Sequence, residues 1–343
     1  MHMADALLSP VVGGVFWAAS AGLIGYSAKK ISQEDDIAKT PLMGVMGAFI
    51  FAVQMINFAI PGTGSSGHLG GGLLLTALLG PWRAFITLAS VLVVQCLFFA
   101  DGGLLALGCN IFNLAFFPAF IAYPFIFRKI AGRGERQYRL ATGSILAAVV
   151  GLELGAFSVV IQTILSGSTD LPFGTFAIFM LPIHLAIGLV EGVVTWAVLA
   201  FVHRVQPSLL TGDTTHRGVR PVLAILAIAA LLTGGVIAYF ASENPDGLEW
   251  AIGKTGTADE TPGNHGGIIR HLARFQEKLS FLPDYNFREG AESTDQTDTA
   301  ATDKLRVFGT SAAGVAGSII VLAVAFGLGL LLRKHPRPDG STS

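Results

Sequence analysis

The chain has 343 residues, 52% of them apolar and only 13% charged, and its 22 Lys and Arg against 23 Asp and Glu leave a net charge of −1. Soluble globular domains average about 25% charged residues and nucleic-acid-binding chains carry a basic surplus, so the profile fits a polytopic helical membrane protein and shows no nucleic-acid footprint. The two cysteines, Cys96 and Cys109, lie in or beside apolar segments with no CxxC, which excludes a disulfide framework.

The chain opens MHMADALLSP, with His2 directly after Met1 and no Lys or Arg before Lys29. A signal peptide needs positive charge ahead of its apolar stretch, and none is present. Apolar runs follow at 11–28, 42–60, 68–80, 84–100, 104–127, 140–166, 176–202, 221–241 and 311–332. A span needs roughly 20 apolar residues, and eight runs come close. The run HLGGGLLLTALLG at 68–80 is too short, and reads as a helix that starts below one surface after an inward-dipping loop at 61–67. The expected fold is therefore all-α and polytopic, a seven-helix bundle followed by two C-terminal spans joined by a long loop at 242–310.

Basic residues set the expected orientation. The loop RKIAGRGERQYR at 128–139, Lys29 and Lys30, the 203–220 loop and the RKHPRPDG tail are all placed in the cytoplasm. Nine crossings then put the N-terminus, the 61–67 loop and the 242–310 loop outside. That last loop is polar and acidic. TADETPGNHGG and GAESTDQTDTAATD within it read as linker, and IIRHLARFQEKLSFL as a helix lying along the membrane or against the body. The natural boundary lies near residue 216, giving units 1–216 and 217–343.

A free N-terminus followed by a histidine offers three nitrogens to one cation: the Met1 amine, the His2 amide once deprotonated, and the His2 imidazole. They close a five-membered and a six-membered chelate ring in nearly one plane. A second imidazole completes a square, and His68 in GTGSSGHLGGG is the candidate. Four nitrogens in a square select Ni(II) or Cu(II) over Mg, Ca or tetrahedral Zn. The alternative is ordinary: a frayed terminal histidine and a histidine capping a helix.

MHMADALLSPVVG, GTGSSGHLGGGLLLTALLGPW and DGGLLALGCNIFNLA resemble, in order, three signatures of the CbiM/NikM substrate-capture subunits of nickel/cobalt energy-coupling-factor importers. ENPDGLEWAIGKTG resembles the PDGLE segment of their small N-type accessory subunits. The resemblance covers both units and implies an M–N fusion. It implies that Met1, His2 and His68 ligate the metal, with Asp101, Asn110 and Asn113 as candidates for the surrounding shell. It also implies Ni(II) or Co(II) as transported substrate with no organic cofactor, no enzyme activity, and a place in the cell membrane. A coupling transmembrane subunit and ATPase subunits would come from other chains. The chain's own GKT at 253–255 lacks the P-loop glycine, Leu248 standing in its place.

Charged groups within spans ordinarily face a bundle interior. His184 and Glu191, seven apart on one face, and Glu153 are read as interhelical pairing ahead of an ion path. His265 and His271 read as solvated, with metal gathering as the alternative. Ala18-xxx-Gly22, Ala21-xxx-Gly25 and Gly151-xxx-Gly155 suit either internal packing or a partner helix. Two rivals remain: an autonomous secondary transporter or channel, which predicts paired broken helices in inverted halves, and a membrane metalloenzyme, which needs an open coordination position.

Overall fold

The computed structural model describes residues 2–34, 39–132, 134, 136–211, 219–255, 267–287 and 299–332. Helix α1 (Pro10–Ile31) starts where the Ser9 hydroxyl accepts from the Val12 N–H and Pro10 fills the first turn. It ends with Lys29 and Lys30 beside the negative end of its dipole. Helix α2 (Lys39–Gln54) has 16 residues, about 24 Å against a hydrocarbon core of about 30 Å. Residues 58–67, expected in part as an irregular loop, instead form a small hairpin. Strand β1 (Phe58–Ile60) pairs antiparallel with β2 (Ser65–Gly67), Phe58 opposite Gly67. The turn between them rests on Gly62 and Gly64 at φ 78° and 76°.

Helix α3 (Gly72–Leu79) is buried throughout and too short to cross, as its sequence predicts. Helix α4 (Pro81–Phe99) forms the bundle's interior, with Phe85 and Phe99 fully buried. Next comes α5 (Leu107–Ala131), in which Phe112–Phe127 runs as wide π-helical turns around Pro118 and Pro124, residues that cannot donate to an ordinary helical ladder. Helices α6 (Gln137–Ser166) and α7 (Phe173–Val205) pack as a hairpin. Gly192 permits the close approach: a Cβ there would lie 2.4 Å from the Ile145 Cα. Gly151 faces Ala122 and Pro118 of α5, so that small-residue pair serves internal packing.

The later spans are α8 (Val219–Phe240) and, after two short helices, α9 (Gly247–Lys254) and α10 (Gly267–Leu279), the long α11 (Thr299–Leu332). Helix α11 lies against α2, where Gly317 meets the Phe51 ring and the Thr40 hydroxyl donates to the Gly329 carbonyl at 3.4 Å. All nine expected segments occur as helices in the expected order. Seven of the described helices are long and apolar enough to cross a membrane, while α2 and α3 fall short. The boundary expected near 216 and most of both linker stretches lie outside the described residues.

Candidate functional site

The N-terminal segment is held by its backbone. Asn110, on α5, accepts from the Met3 N–H at 2.8 Å and donates to the Met3 carbonyl at 3.3 Å. The Gly103 N–H donates to that same carbonyl at 2.9 Å. Two residues on, the Asp5 carboxylate accepts from the Ala106 N–H at 2.9 Å, and the Met3 side chain is fully buried. Clamped on both sides, the segment has one course, and it delivers His2 into a cavity of about 680 Å³.

His68 reaches the same cavity from β2. Its loop is gripped from α7 by Glu191, whose carboxylate accepts from the N–H groups of Gly70 at 2.7 Å and Gly71 at 3.2 Å. From α2 the Gln54 amide donates to the Gly70 carbonyl at 2.9 Å, and Gln95 on α4 in turn donates to Gln54 at 2.8 Å. Three hydrogen bonds from two helices thus fix the course of a buried stretch of backbone whose polar groups must find partners. The outcome is a pair of stacked rings, with the His2 and His68 centroids 5.2 Å apart and 25° from parallel.

Both imidazoles are about nine-tenths buried. Loss of hydration disfavours the imidazolium, lowering the His2 pKa and bringing that of His68 down to about 3. Each ring has a carboxylate beside it: Asp101 Oδ1 is 3.5 Å from His2 Nδ1, and Asp246 Oδ2 is 4.0 Å from His68 Nε2. Asp101 is turned into the cavity by Ala100, a left-handed cap (φ 55°) that ends α4, and accepts a short hydrogen bond from the Tyr285 hydroxyl. Burial and that carboxylate push the Tyr285 phenol well up. Asp246 caps α9, accepting from the Leu248 and Glu249 N–H groups at 2.9 Å each. His2 Nε2 makes no hydrogen bond of ordinary geometry among the described residues.

Two neutral, adjacent imidazoles supply borderline nitrogen donors, a set suited to late first-row divalent metals over Mg or Ca. Among the described residues no three His, Cys, Asp or Glu side chains converge on one metal position. Side chains alone therefore furnish two donors, and a four-nitrogen set needs backbone nitrogens. Met1, expected to provide one, lies outside the described residues.

Of the expected surrounding residues, Asp101 lines the cavity and Asn110 clamps Met3. Asn113 exchanges hydrogen bonds of 2.8 and 2.9 Å with Gln162 in the core and reaches only the Met3 sulfur. Cys109 is a buried core thiol. Glu191 pairs with loop backbone. His184 bonds its own helix at the Met180 carbonyl (2.8 Å) and lines a small cleft with His68 and Asp246. Glu153 leaves one carboxyl oxygen buried and unbonded among the described residues. His271 is exposed on α10, and His265 lies outside the described residues. Sequence reading missed Met3, Asp5, Gln54, Gln95 and Tyr285, and found Asp246 only as part of the PDGLE motif.

Residues 2–209 match the family described as the cobalt uptake substrate-specific transmembrane region, CbiM. The chain belongs to the CbiM family. Residues 220–334 match the PDGLE domain. This CbiM-family chain is 30% identical to the fused nickel transport protein NikMN of Rhodobacter capsulatus over 83% of its own length and 88% of the relative's. It is 31% identical to a protein of Archaeoglobus fulgidus, provisionally named a fused nickel transport protein NikMN, over 96% of this chain and 98% of that one. A crystal structure of a transition metal transporter superposes with a TM-score of 0.52 at 33% identity, covering 60% of this chain and 93% of the other.

The PDGLE part is joined to the first part at the site itself. The Ser66 N–H donates to the Pro245 carbonyl at 2.8 Å, the Ser66 hydroxyl to that of Asn244 at 2.7 Å, and the Trp250 indole to that of Thr63 at 3.0 Å. On the other side of the cavity Gln276 of α10 donates to the carbonyls of Cys96 at 2.9 Å and Gly102 at 2.7 Å. Helix α10 thus lies against the body, one of its two expected positions.

Proposed function

We propose that the chain is the substrate-capture subunit of an ATP-driven energy-coupling-factor importer, binding Ni(II), or Co(II), at the outer face of the cell membrane. The observation that carries this reading is the stacked His2–His68 pair at a residue-2 histidine whose following residue is clamped on both sides. The Met1 amine, the His2 amide and the two imidazoles are the assigned ligands. The fused nickel transporters at about 30% identity and the crystallised transition metal transporter support the metal class. Residues 1–216 form the capture unit and 217–343 the accessory unit, with the N-terminus outside and the C-terminus cytoplasmic.

A coupling membrane subunit and ATPases supply energy from other chains. We assign the coupling subunit to α1, where Ala18, Ala21, Gly22 and Gly25 are exposed and a side chain at Gly22 or Gly25 would meet nothing. Uptake by the chain without those partners would favour the autonomous-transporter reading.

The test is Ni(II) calorimetry on protein with an authentic N-terminus. The variant is the same chain with its Met1 amine acetylated, which removes one assigned nitrogen donor; a residue inserted before His2 would instead convert the chelate into an amine–amide–amide–imidazole form. Affinity is expected to fall by more than the roughly 10–100-fold typical of losing an outer-shell partner. Unchanged affinity would remove the amine–amide–imidazole chelate.

A further inference from the structure

The cavity above the histidine pair is lined by six carboxylates, from Asp5, Asp101, Glu243, Asp246, Glu249 and Asp284, and by no Lys or Arg among the described residues. Two belong to the capture unit and four to the PDGLE unit. Asp5, Asp101 and Asp246 have bonding tasks within the fold. Glu243 and Asp284 have none: neither side chain has a hydrogen-bond or ion-pair partner among the described residues, though both border the cavity. The basic residues of the nearby α10, Arg270, Arg274 and Lys278, occupy exposed positions outside the lining.

A negative lining is only a surface property unless something at its base takes a cation. Here the base holds a buried imidazole nitrogen, His2 Nε2, with no hydrogen bond of ordinary geometry among the described residues and a second ring stacked beside it. We infer that the PDGLE unit is an electrostatic vestibule: its unpaired carboxylates concentrate divalent transition-metal cations in the cavity and speed their delivery to the histidine pair, without themselves being ligands. This rests on the capture reading above and gives the accessory unit a kinetic task within it. Clefts lined by one sign of charge between low-dielectric walls raise association rates by about 10–1,000-fold, with a steep dependence on ionic strength. Ligands set the dissociation rate; the vestibule acts on arrival.

The test uses the full chain and Ni(II) as probe, with loading followed by stopped-flow tryptophan quenching. The variant is Glu243→Gln with Asp284→Asn; asparagine tolerates the left-handed backbone at position 284 (φ 49°). At about 20 mM salt, where the Debye length exceeds about 20 Å, the variant's association rate is expected to be roughly tenfold below wild type. Near 1 M salt, where screening acts within about 3 Å, the two rates converge, and dissociation rates agree throughout. Agreement in dissociation also shows that the variant's site is intact. Equal association rates at low salt would overturn the vestibule, as would a deficit that survives 1 M salt or lies in dissociation. If wild type takes up no Ni(II), the capture reading fails and this inference with it; loading at equal rates removes this inference alone.

Discussion

The two walls of the cavity are built differently. On the capture side, each approach to the histidine pair ends in hydrogen bonds to backbone: Asn110 and Gly103 on Met3, Asp5 on Ala106, Glu191 and Gln54 on Gly70 and Gly71. The PDGLE side has a few bonds to the hairpin and to the end of α4, and contributes twice as many carboxylates to the lining, four against two. One wall determines where nitrogen atoms stand, and the other sets the charge a cation meets first. Geometry and field have been given to separate parts of one chain.

The contrast is broken most severely at Glu191. Glu191→Ala leaves the Gly70 and Gly71 N–H groups buried without their acceptor, at about 1–3 kcal/mol for each orphaned group. Nickel affinity is expected to fall roughly 10–100-fold although residue 191 is itself no ligand. Calorimetry returning wild-type affinity would show that the loop keeps its course without α7.

Acid comes next. The unfolded chain takes up protons at His2 and His68 near pH 6.5, whereas the folded rings refuse them, His68 until about pH 3. The unfolded state then binds more protons, so the melting temperature of the metal-free protein falls as pH drops from about 6.5 towards 3. The same burial keeps the His68 imidazole neutral at pH 6 and favours the neutral form of His2, so proton competition for nickel begins with the amine, whose ordinary pKa is about 7.7–8.0. The melting increment from saturating nickel should be large at pH 7.5 and small at pH 5, as read by thermal scans. An increment independent of pH would speak against an amine ligand.

The smallest effect sharpens the comparison from the other side. Trp250→Phe removes the indole bond to the Thr63 carbonyl, a link between PDGLE unit and hairpin worth about 1 kcal/mol. Stability should drop by about that amount in denaturant titration, with nickel affinity within about threefold of wild type. A larger loss of affinity would mean that the PDGLE wall also positions nitrogen.

How much of this was legible beforehand depended on the range of the interaction. The spans could be read because a hydrocarbon slab demands about 20 apolar residues in a row, a local property of the chain. The candidate ligands His2 and His68 stood out because a terminal histidine and a histidine among glycines are local patterns too. Local reading overestimated α2, whose apolar run continues to residue 60 while the helix stops at Gln54 so that the hairpin can form. It left Glu191 among several buried charges, because its partners are 120 and 121 residues away.

By itself the sequence determined the helical membrane architecture, the order of its segments and the two histidines, since hydropathy and chelate spacing are written along the chain. Only the tertiary structure decided that Asn110 and Asp5 hold the N-terminal tip, that Glu191 holds the His68 loop, and that Asp246 and Tyr285 of the PDGLE unit close over the site. Those choices come from hydrogen bonds between groups a hundred or more residues apart, whose pairing is fixed only when the helices pack and each buried polar group must find a partner.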